Sequence, residues 1–374
     1  MQSSDYRIRA CYSKRISYSR DELSRILALD TSFIPLFLKS FCRSYKFSVD
    51  SQVDRILESI RNTPLWYAIE KDILMLENQV PMFVLIQAFL FITNSQSDTQ
   101  MVNTSGREIT QDDRRFQESN HLDVILQDAC LHFNPFIREE NYLPQPPDRN
   151  STGHLLDYLY HYVTTASPQH QSNPLQQGCV IKLSKMVSTT TAGYIPSATE
   201  LSEAGIKFAP YDSGDLRKIC FKKTISTFFL PKININDFTE VVLRNLVAFE
   251  LNLKEKQKPL TRYTFLMGRL IRTEGDVALL QRCGILNCQM DSDAEVARMW
   301  NCMCKSIGKN TFDPVEKAID EAQKYYRSKW RVLLAEFWEK HSSKLWLVIP
   351  FLYAGMMLFL QAAQVFCLFH TCNK

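Results

Sequence analysis

Apolar residues recur at spacings of three and four along most of the chain, and prolines punctuate the recurrence. Between Asp21 and Tyr45 the apolar positions are Leu23, Ile26, Leu27, Phe33, Ile34, Phe37 and Leu38, which predicts an amphipathic helix that Pro35 breaks or kinks. A short helix is predicted over 51–60. Pro64, suited to a first helical turn, opens another that carries Leu65, Trp66, Ile69 and Ile73. The stretch DILMLENQVPMFVL (72–85) then sets an acid, two amides and a proline inside an apolar run. Pro81 cannot donate to the carbonyl of Glu77, and it pushes Val80 out of the α region. The first helix should therefore end near Asn78, and a second should start at Pro81 and run through Met82, Val84, Leu85, Phe89 and Leu90. Asn78 and Gln79 are placed to satisfy backbone groups exposed at the break, and Glu77 lies where a helix start favours negative charge. The stretch reads as a helix corner with polar caps. Without a histidine or second carboxylate near it in sequence, Glu77 gives a catalytic reading little support.

Three polar stretches, near 94–120, 133–152 and 167–178, read as long surface loops, with short helices at 121–132 and 153–165 between them. In GHLLDYLYHYV, His154, Asp157 and His161 share one helical face. Such a set would begin a zinc or iron site, but no further ligand stands at a diagnostic spacing, and side-chain hydrogen bonding is the simpler account. SATELSEAG predicts a helix with Ser197 as cap, Glu200 three residues on and Gly205 as stop. IKFAP and KKTISTFFLPKINI are β-branched, aromatic and turn-bounded, and predict a small antiparallel β element between Ile206 and Ile235. Asn236 opens an amphipathic helix, NDFTEVVLRNLVAFELNL. Helices follow at 263–272, 274–283 and 293–304, and a long one runs from Pro314 to about His341 with Asp313 as cap.

The segment 345–369, LWLVIPFLYAGMMLFLQAAQVFCLF, contains no Asp, Glu, Lys, Arg or His. As a helix it would be roughly 37 Å long, enough for a hydrocarbon core of about 30 Å. It predicts a single-pass transmembrane helix in a lipid bilayer, with Trp346 and Tyr353 near one interface and a short tail at 370–374. The alternative is a helix packed against the body, for which Gln361 and Gln364 argue. Lys340, His341 and Lys344 before the segment, against His370 and Lys374 after it, favour a cytosolic body at an unspecified membrane. Asn103 and Asn150 stand in N-x-S/T glycosylation triplets; sugar on either would reverse that orientation.

Composition adds limits. Apolar residues make up 45% and charged residues 22% of the 374-residue chain, a folding composition. The net charge is only +4 and no basic block stands out, so nothing points to a nucleic-acid partner. The 11 cysteines lack C-x2-C spacing and read as reduced, mostly buried thiols. The basic, polar segment 1–20 lacks the apolar run of a secretory signal peptide. No nucleotide-binding, G-x-S-x-G, H-E-x-x-H or kinase signature is present, so no catalytic, metal or cofactor-binding residue is assigned, and an enzyme is the less supported class.

Taken in order, LALDTSFIPLFL, DILMLENQVPMFVL, HLLDYLYHY, IPSATELSEAGIKF, FFLPKINI, VLRNLVAFE and LIRTEGDVALLQRCGIL resemble a plant family termed domain of unknown function 247, or uncharacterised protein family 0481. LENQVP and SATELSEAGIKF are the most telling, and the likeness runs from about Leu27 to the C-terminus. The resemblance implies a largely helical plant protein with a C-terminal membrane segment and no established enzymatic activity. The matching positions are Asp30, Glu77, Asn78, Gln79, Pro81, His154, Asp157, Glu200, Glu203, Gly205, Arg244, Asn245 and Glu250. Each is expected first as a polar or turn residue that specifies the fold. Relatives carry a longer N-terminal part before the Asp30 segment, rich in glycine, proline and histidine. The expectation is thus a mainly α, multi-helix body over 21–341, anchored in a membrane, that works in interaction or signalling through an unidentified protein partner. An enzyme with an unrecognised pocket and a soluble helical scaffold with a buried C-terminal helix are the alternatives.

Overall fold

Ser19 caps the first long helix: its hydroxyl accepts from the Glu22 N–H, and the Glu22 carboxylate accepts from the Ser19 N–H at 2.8 Å, a reciprocal capping box. The helix so started, α2 (Arg20–Lys39), runs through Pro35 rather than ending there. Proline removes one backbone donor, but Leu27, Thr31, Pro35 and Leu38 are all buried on the same side, and that packing outweighs the lost bond. The computed structural model describes residues 5–42, 51–96, 111–136, 144–165, 196–211, 216, 219–254, 258–306, 321–326, 328–329, 353–361 and 364.

Before α2 lies a short helix, α1 (Asp5–Ala10); after it come α3 (Ser51–Ile60) and α4 (Pro64–Ile73), the latter capped by Thr63 with Pro64 in its first turn. The expected corner is present. α4 ends at Ile73, five residues before the expected position. A single 3-10 turn covers Leu76–Asn78, and α5 (Met82–Gln96) starts directly after Pro81. The earlier stop has a visible cause, because the Gln79 amide takes the carbonyls of Ile73 and Met75, each at 2.8 Å. Next come α6 (Gln111–Phe133) and α7 (Leu155–Thr164). α6 reaches ten residues further back than the helix predicted at 121–132; the preceding QDDRRFQESN is polar but rich in helix formers, and polarity alone concealed it. Of the stretch expected as a loop at 94–120, residues 97–110 lie outside the described residues, as does all of 167–178.

After α8 (Ala198–Glu203) come β1 (Lys207–Tyr211), β2 (Cys220–Lys222), β3 (Thr227–Pro231) and β4 (Ile233–Ile235), then α9 (Thr239–Asn252), α10 (Pro259–Leu270), α11 (Glu274–Arg282), β5 (Leu286–Cys288) and α12 (Asp293–Ser306). The fold is mainly α with a small β element that includes the antiparallel pair β2–β3. Two further pairings are parallel: β1 joins β3, and β4 joins β5, more than fifty residues later in the chain. α2, α5 and α6 pack on one another, α7 bridges α6 to α9, and α9 to α12 form a second group against which α8 and β5 rest. One continuous core joins both groups, from Phe37 and Trp66 through Tyr158 and Tyr162 to Tyr263 and Trp300.

α10 and α12 pack closely at Gly268, where a methyl group would run into the Cys304 side chain and lie 2.8 Å from the Trp300 carbonyl. Gly268→Ala should therefore cost about 1–3 kcal/mol of stability from overpacking. A lowered urea midpoint checks this, with Gly275→Ala, where a Cβ meets nothing nearer than 3.7 Å, as the comparison.

Two expectations are corrected. Among the described residues, no helix is long and apolar enough to cross a membrane. Of 345–369, the described helical part is 353–361, with 364, and the remainder lies outside the described residues. The absence of such a helix among the described residues corrects the expected transmembrane helix, the bilayer as partner and single-pass membrane localisation. The apolar side chains Tyr353, Met356 and Phe359 are exposed, so these residues do not pack into the body either. The second correction concerns the thiols: Cys220 on β2 is in a disulfide, whereas Cys42, Cys130, Cys283 and Cys304 are free.

Candidate functional site

The family-like positions are spread over several elements, and most of them are tied to helix ends. Gln79, 9% exposed, also accepts from the Leu156 N–H at 3.0 Å, so one side chain closes the end of α4 and the start of α7 together. The Met82 N–H donates to Gly153 O at 2.8 Å, and Pro81 pairs with His154 across the same seam. His154 caps α7 by accepting from the Asp157 N–H through Nδ1 at 3.1 Å. Asp157 accepts from the Gly153 N–H at 2.7 Å and meets His161 Nε2 at 3.2 Å. Burial pushes the Asp157 carboxyl up, but the bonds from His161 and Gly153 outweigh it and leave its pKa below the ordinary value. Burial pushes the His154 imidazole down, against the opposing charge of Asp157. This set, which from sequence was open to metal ligation, is engaged in capping.

Other positions act alike. Asn245 accepts the Leu76 N–H at 2.9 Å, tying α9 to the corner. Glu200 and Ser197 form the predicted capping box, and Gly205 ends α8 with φ of +83°. Glu250, wholly buried, holds the start of α10. Arg244 pairs with Glu240 on an exposed face of α9. Glu77 and Asn78 are exposed, with Asn78 Nδ2 donating to Asp72 at 2.8 Å. Asp30 is half-buried, its carboxyl pushed up by burial and by neighbouring Asp72. Asn150 is exposed in a turn; Asn103 lies outside the described residues.

A different place gathers unassigned chemistry. A cleft of about 990 Å³ opens between the C-terminal end of α2, α4, the end of α6 and the turn before α9. Its floor is Glu70, only 4% exposed, whose Oε1 accepts from Trp66 Nε1 at 3.0 Å and meets His132 Nε2 at 2.9 Å. His132 stacks on Phe41, with centroids 4.1 Å apart, and Phe238 closes the far wall. Arg61 lies over Trp66 at 5.4 Å, and Lys71 and exposed Tyr67 complete the rim. A carboxylate that orients an imidazole has the form of a general base and its positioning partner. Among the described residues lining the cleft, the Ser40 hydroxyl is engaged with the Phe37 carbonyl. Cys42, also lining the cleft, has its thiol pushed up to about 12 by burial and by Asp128, so it stays protonated. None of Glu77, Asp157 or Glu250 lines the cleft. Sequence reading overlooked Glu70 and His132 because 62 positions separate them and neither stands in a motif. It also passed over Asp276, although Thr273-x-x-Asp276 carries the spacing of a capping box.

The profile of the family described as plant protein of unknown function, DUF247, matches residues 1–360 of this chain. The chain belongs to that family. The match begins at residue 1, ahead of the Leu27 boundary suggested by the quoted segments. Among DUF247 relatives, the UPF0481 protein At3g02645 of Arabidopsis thaliana is 29% identical over 98% of this chain and 78% of its own length. A second from the same plant, the UPF0481 protein At3g47200, is 24% identical over 87% of this chain, which spans 64% of that relative. No solved structure matches the DUF247 chain.

Proposed function

We propose that this DUF247 protein is a helical scaffold that works by binding a protein partner, and that the cleft over Glu70 and His132 receives a segment of that partner. The observation that carries the reading is the wall composition: Phe41, Trp66, Tyr67 and Phe238 supply aromatic area, with Arg61 and Lys71 at the rim. Aromatic residues and arginine are the side chains that dominate binding energy at protein interfaces, where they combine large contact area with few rotatable bonds. The Glu70–His132 pair then serves as a positioning device. It holds the imidazole against Phe41 and presents a hydrogen-bonding edge beside the aromatic side chains. With Arg61 and Lys71 set against the single exposed carboxylate of Asp237, the rim keeps a net positive charge and favours a segment that pairs an apolar or aromatic side chain with an acidic one.

Arg61 and Tyr67 are both exposed, so the double variant Arg61→Ala/Tyr67→Ala should retain its unfolding midpoint. It should bind a partner recovered with the wild-type chain at least tenfold more weakly, because each truncation of this kind costs on the order of 1–2 kcal/mol at a binding site. Titration of the purified partner against both chains by calorimetry checks this, and equal affinity would remove the cleft from the account.

A further inference from the structure

The N-terminal segment is fastened to the body at both ends and leaves the Ser17 hydroxyl on display between them. α1 docks through Ile8, 2% exposed, against Leu23, Leu27 and Val84, and the Arg7 guanidinium lies 4.0 Å above the Phe83 ring. Tyr12 donates from its hydroxyl to Gln79 O at 3.2 Å. The chain then crosses to α2 without regular structure, and Arg9 reaches across to hold it. Arg9 donates from Nη1 to Ile16 O at 3.0 Å and from Nη2 to Tyr18 O at 2.9 Å, while its Nε is engaged by Asp5. Ser17 sits between these two pinned carbonyls, with its own side chain exposed.

Its sequence neighbours are not neutral. Lys14 stands three residues before it and Arg15 two before, both exposed, and Tyr18, 54% exposed, follows directly. We propose that Ser17 is a phosphorylation site for a serine/threonine kinase that reads basic residues upstream of its acceptor. Carboxylates in such a kinase's groove pair with cations two and three positions before the acceptor, and an apolar pocket takes the residue after it. The neighbouring hydroxyls lack this arrangement. Ser13 follows Ala10, Cys11 and Tyr12, with no cation at either upstream position. Ser19 follows Ile16, Ser17 and Tyr18, and its hydroxyl is committed to the α2 cap. In the transfer, Ser17 Oγ attacks the γ-phosphorus of a nucleoside triphosphate. An O–P bond forms, the bond from the γ-phosphorus to the β,γ-bridging oxygen breaks, the nucleoside diphosphate leaves, and the hydroxyl proton passes to the kinase's carboxylate base. The new group, carrying about −1.5 to −2 charges, arrives beside Arg9, the side chain that secures this segment, so modification would act on the hold of α1 and Tyr12 over the Gln79 corner. The site is separate from the cleft and does not depend on it.

The test uses the full chain, the catalytic subunit of a basic-directed kinase and ATP, with sites mapped by mass spectrometry and a standard substrate confirming kinase activity. Phosphate is expected on Ser17, absent from Ser17→Ala, with kcat/KM at least tenfold lower for Lys14→Ala/Arg15→Ala and unchanged for Ser13→Ala. These side chains are all exposed, so none of the variants should shift the unfolding midpoint. An unlabelled Ser17 in the folded chain, or equal labelling when both upstream cations are removed, would overturn the proposal.

Discussion

Replacing Glu250 by alanine should destabilise the protein by roughly 3–5 kcal/mol, the largest single effect expected outside the large apolar core residues. Glu250 lies in the last turn of α9 and is wholly buried. Its Oε1 accepts from the Tyr160 hydroxyl at 3.0 Å and from the Leu260 N–H at 3.1 Å. Its Oε2 accepts from the Thr261 N–H at 2.6 Å and also from the Thr261 hydroxyl. Two of these donors are free N–H groups at the start of α10, where the helix dipole also favours a negative charge. Removing the carboxylate leaves them without an acceptor in a region closed to water. Each unsatisfied buried donor costs about 1–3 kcal/mol. Glu250→Gln is the informative companion. Its amide oxygen can replace one acceptor, but its NH2 then faces an N–H or hydroxyl, so the loss should be about half as large. Urea unfolding at neutral pH measures both. A loss below about 1 kcal/mol for Glu250→Ala would mean that the start of α10 finds other acceptors and that this carboxylate is not what joins α9 to α10.

The second large effect belongs to Asp276, also wholly buried. Its Oδ1 accepts from the N–H and hydroxyl of Thr199, both at 2.8 Å. Its Oδ2 accepts from the N–H groups of Arg272 and Thr273 and from the Thr273 hydroxyl at 3.0–3.1 Å. One side chain thus caps α11 and holds α8 against it. Burial pushes this carboxyl up, but the bonds from Thr199, from the Arg272 N–H and from Ser197 outweigh burial and hold its pKa below the ordinary 3.8. The sign of the pH effect follows. In the unfolded chain the group ionises near its ordinary value, and in the folded chain it stays ionised to lower pH. The stabilisation is therefore fully present above about pH 4 and is lost as pH falls through the folded pKa. Asp276→Asn should cost about 2–4 kcal/mol at pH 7 and should flatten the fall in stability below pH 4. Some slope will remain, because Asp157 is depressed in the same direction. Unfolding midpoints at pH 7, 4 and 3 for both chains check this. An unchanged acid slope in the variant would assign the acid sensitivity to other carboxylates.

These two residues show where the sequence could be read and where it could not. Glu250 was recognisable as a family-like position, yet its partners, Tyr160 and Thr261, lie 90 and 11 positions away, and nothing local names them. Asp276 carried a local signal, three residues after Thr273, that was passed over. The Ser197–Glu200 cap, the Gly205 stop and the break at Pro81 were legible because each is a contact or a steric clash within about four residues. The early end of α4 was not legible. It depends on whether Gln79 turns its amide toward Ile73 and Met75 or leaves it in solvent, and α7 decides that by presenting the Leu156 N–H from 77 positions away.

By itself the sequence determined most of the helices, a β element between Ile206 and Ile235, the Ser197–Glu200 cap, the corner at Pro81 and membership of the DUF247 family, since periodicity and capping are written over one or two turns of chain. Only the tertiary structure decided that β1 pairs with β3 and β5 with β4 in parallel, that α2 passes through Pro35, and that Gln79, Asn245, Glu250 and Asp276 fasten separate helices. It also decided that Glu70 and His132 meet in one cleft, and that among the described residues no helix is long and apolar enough to cross a membrane. The reason is that a buried donor or carboxylate takes whichever partner the folded chain brings within about 3 Å, and here that partner often lies 60 to 170 residues away.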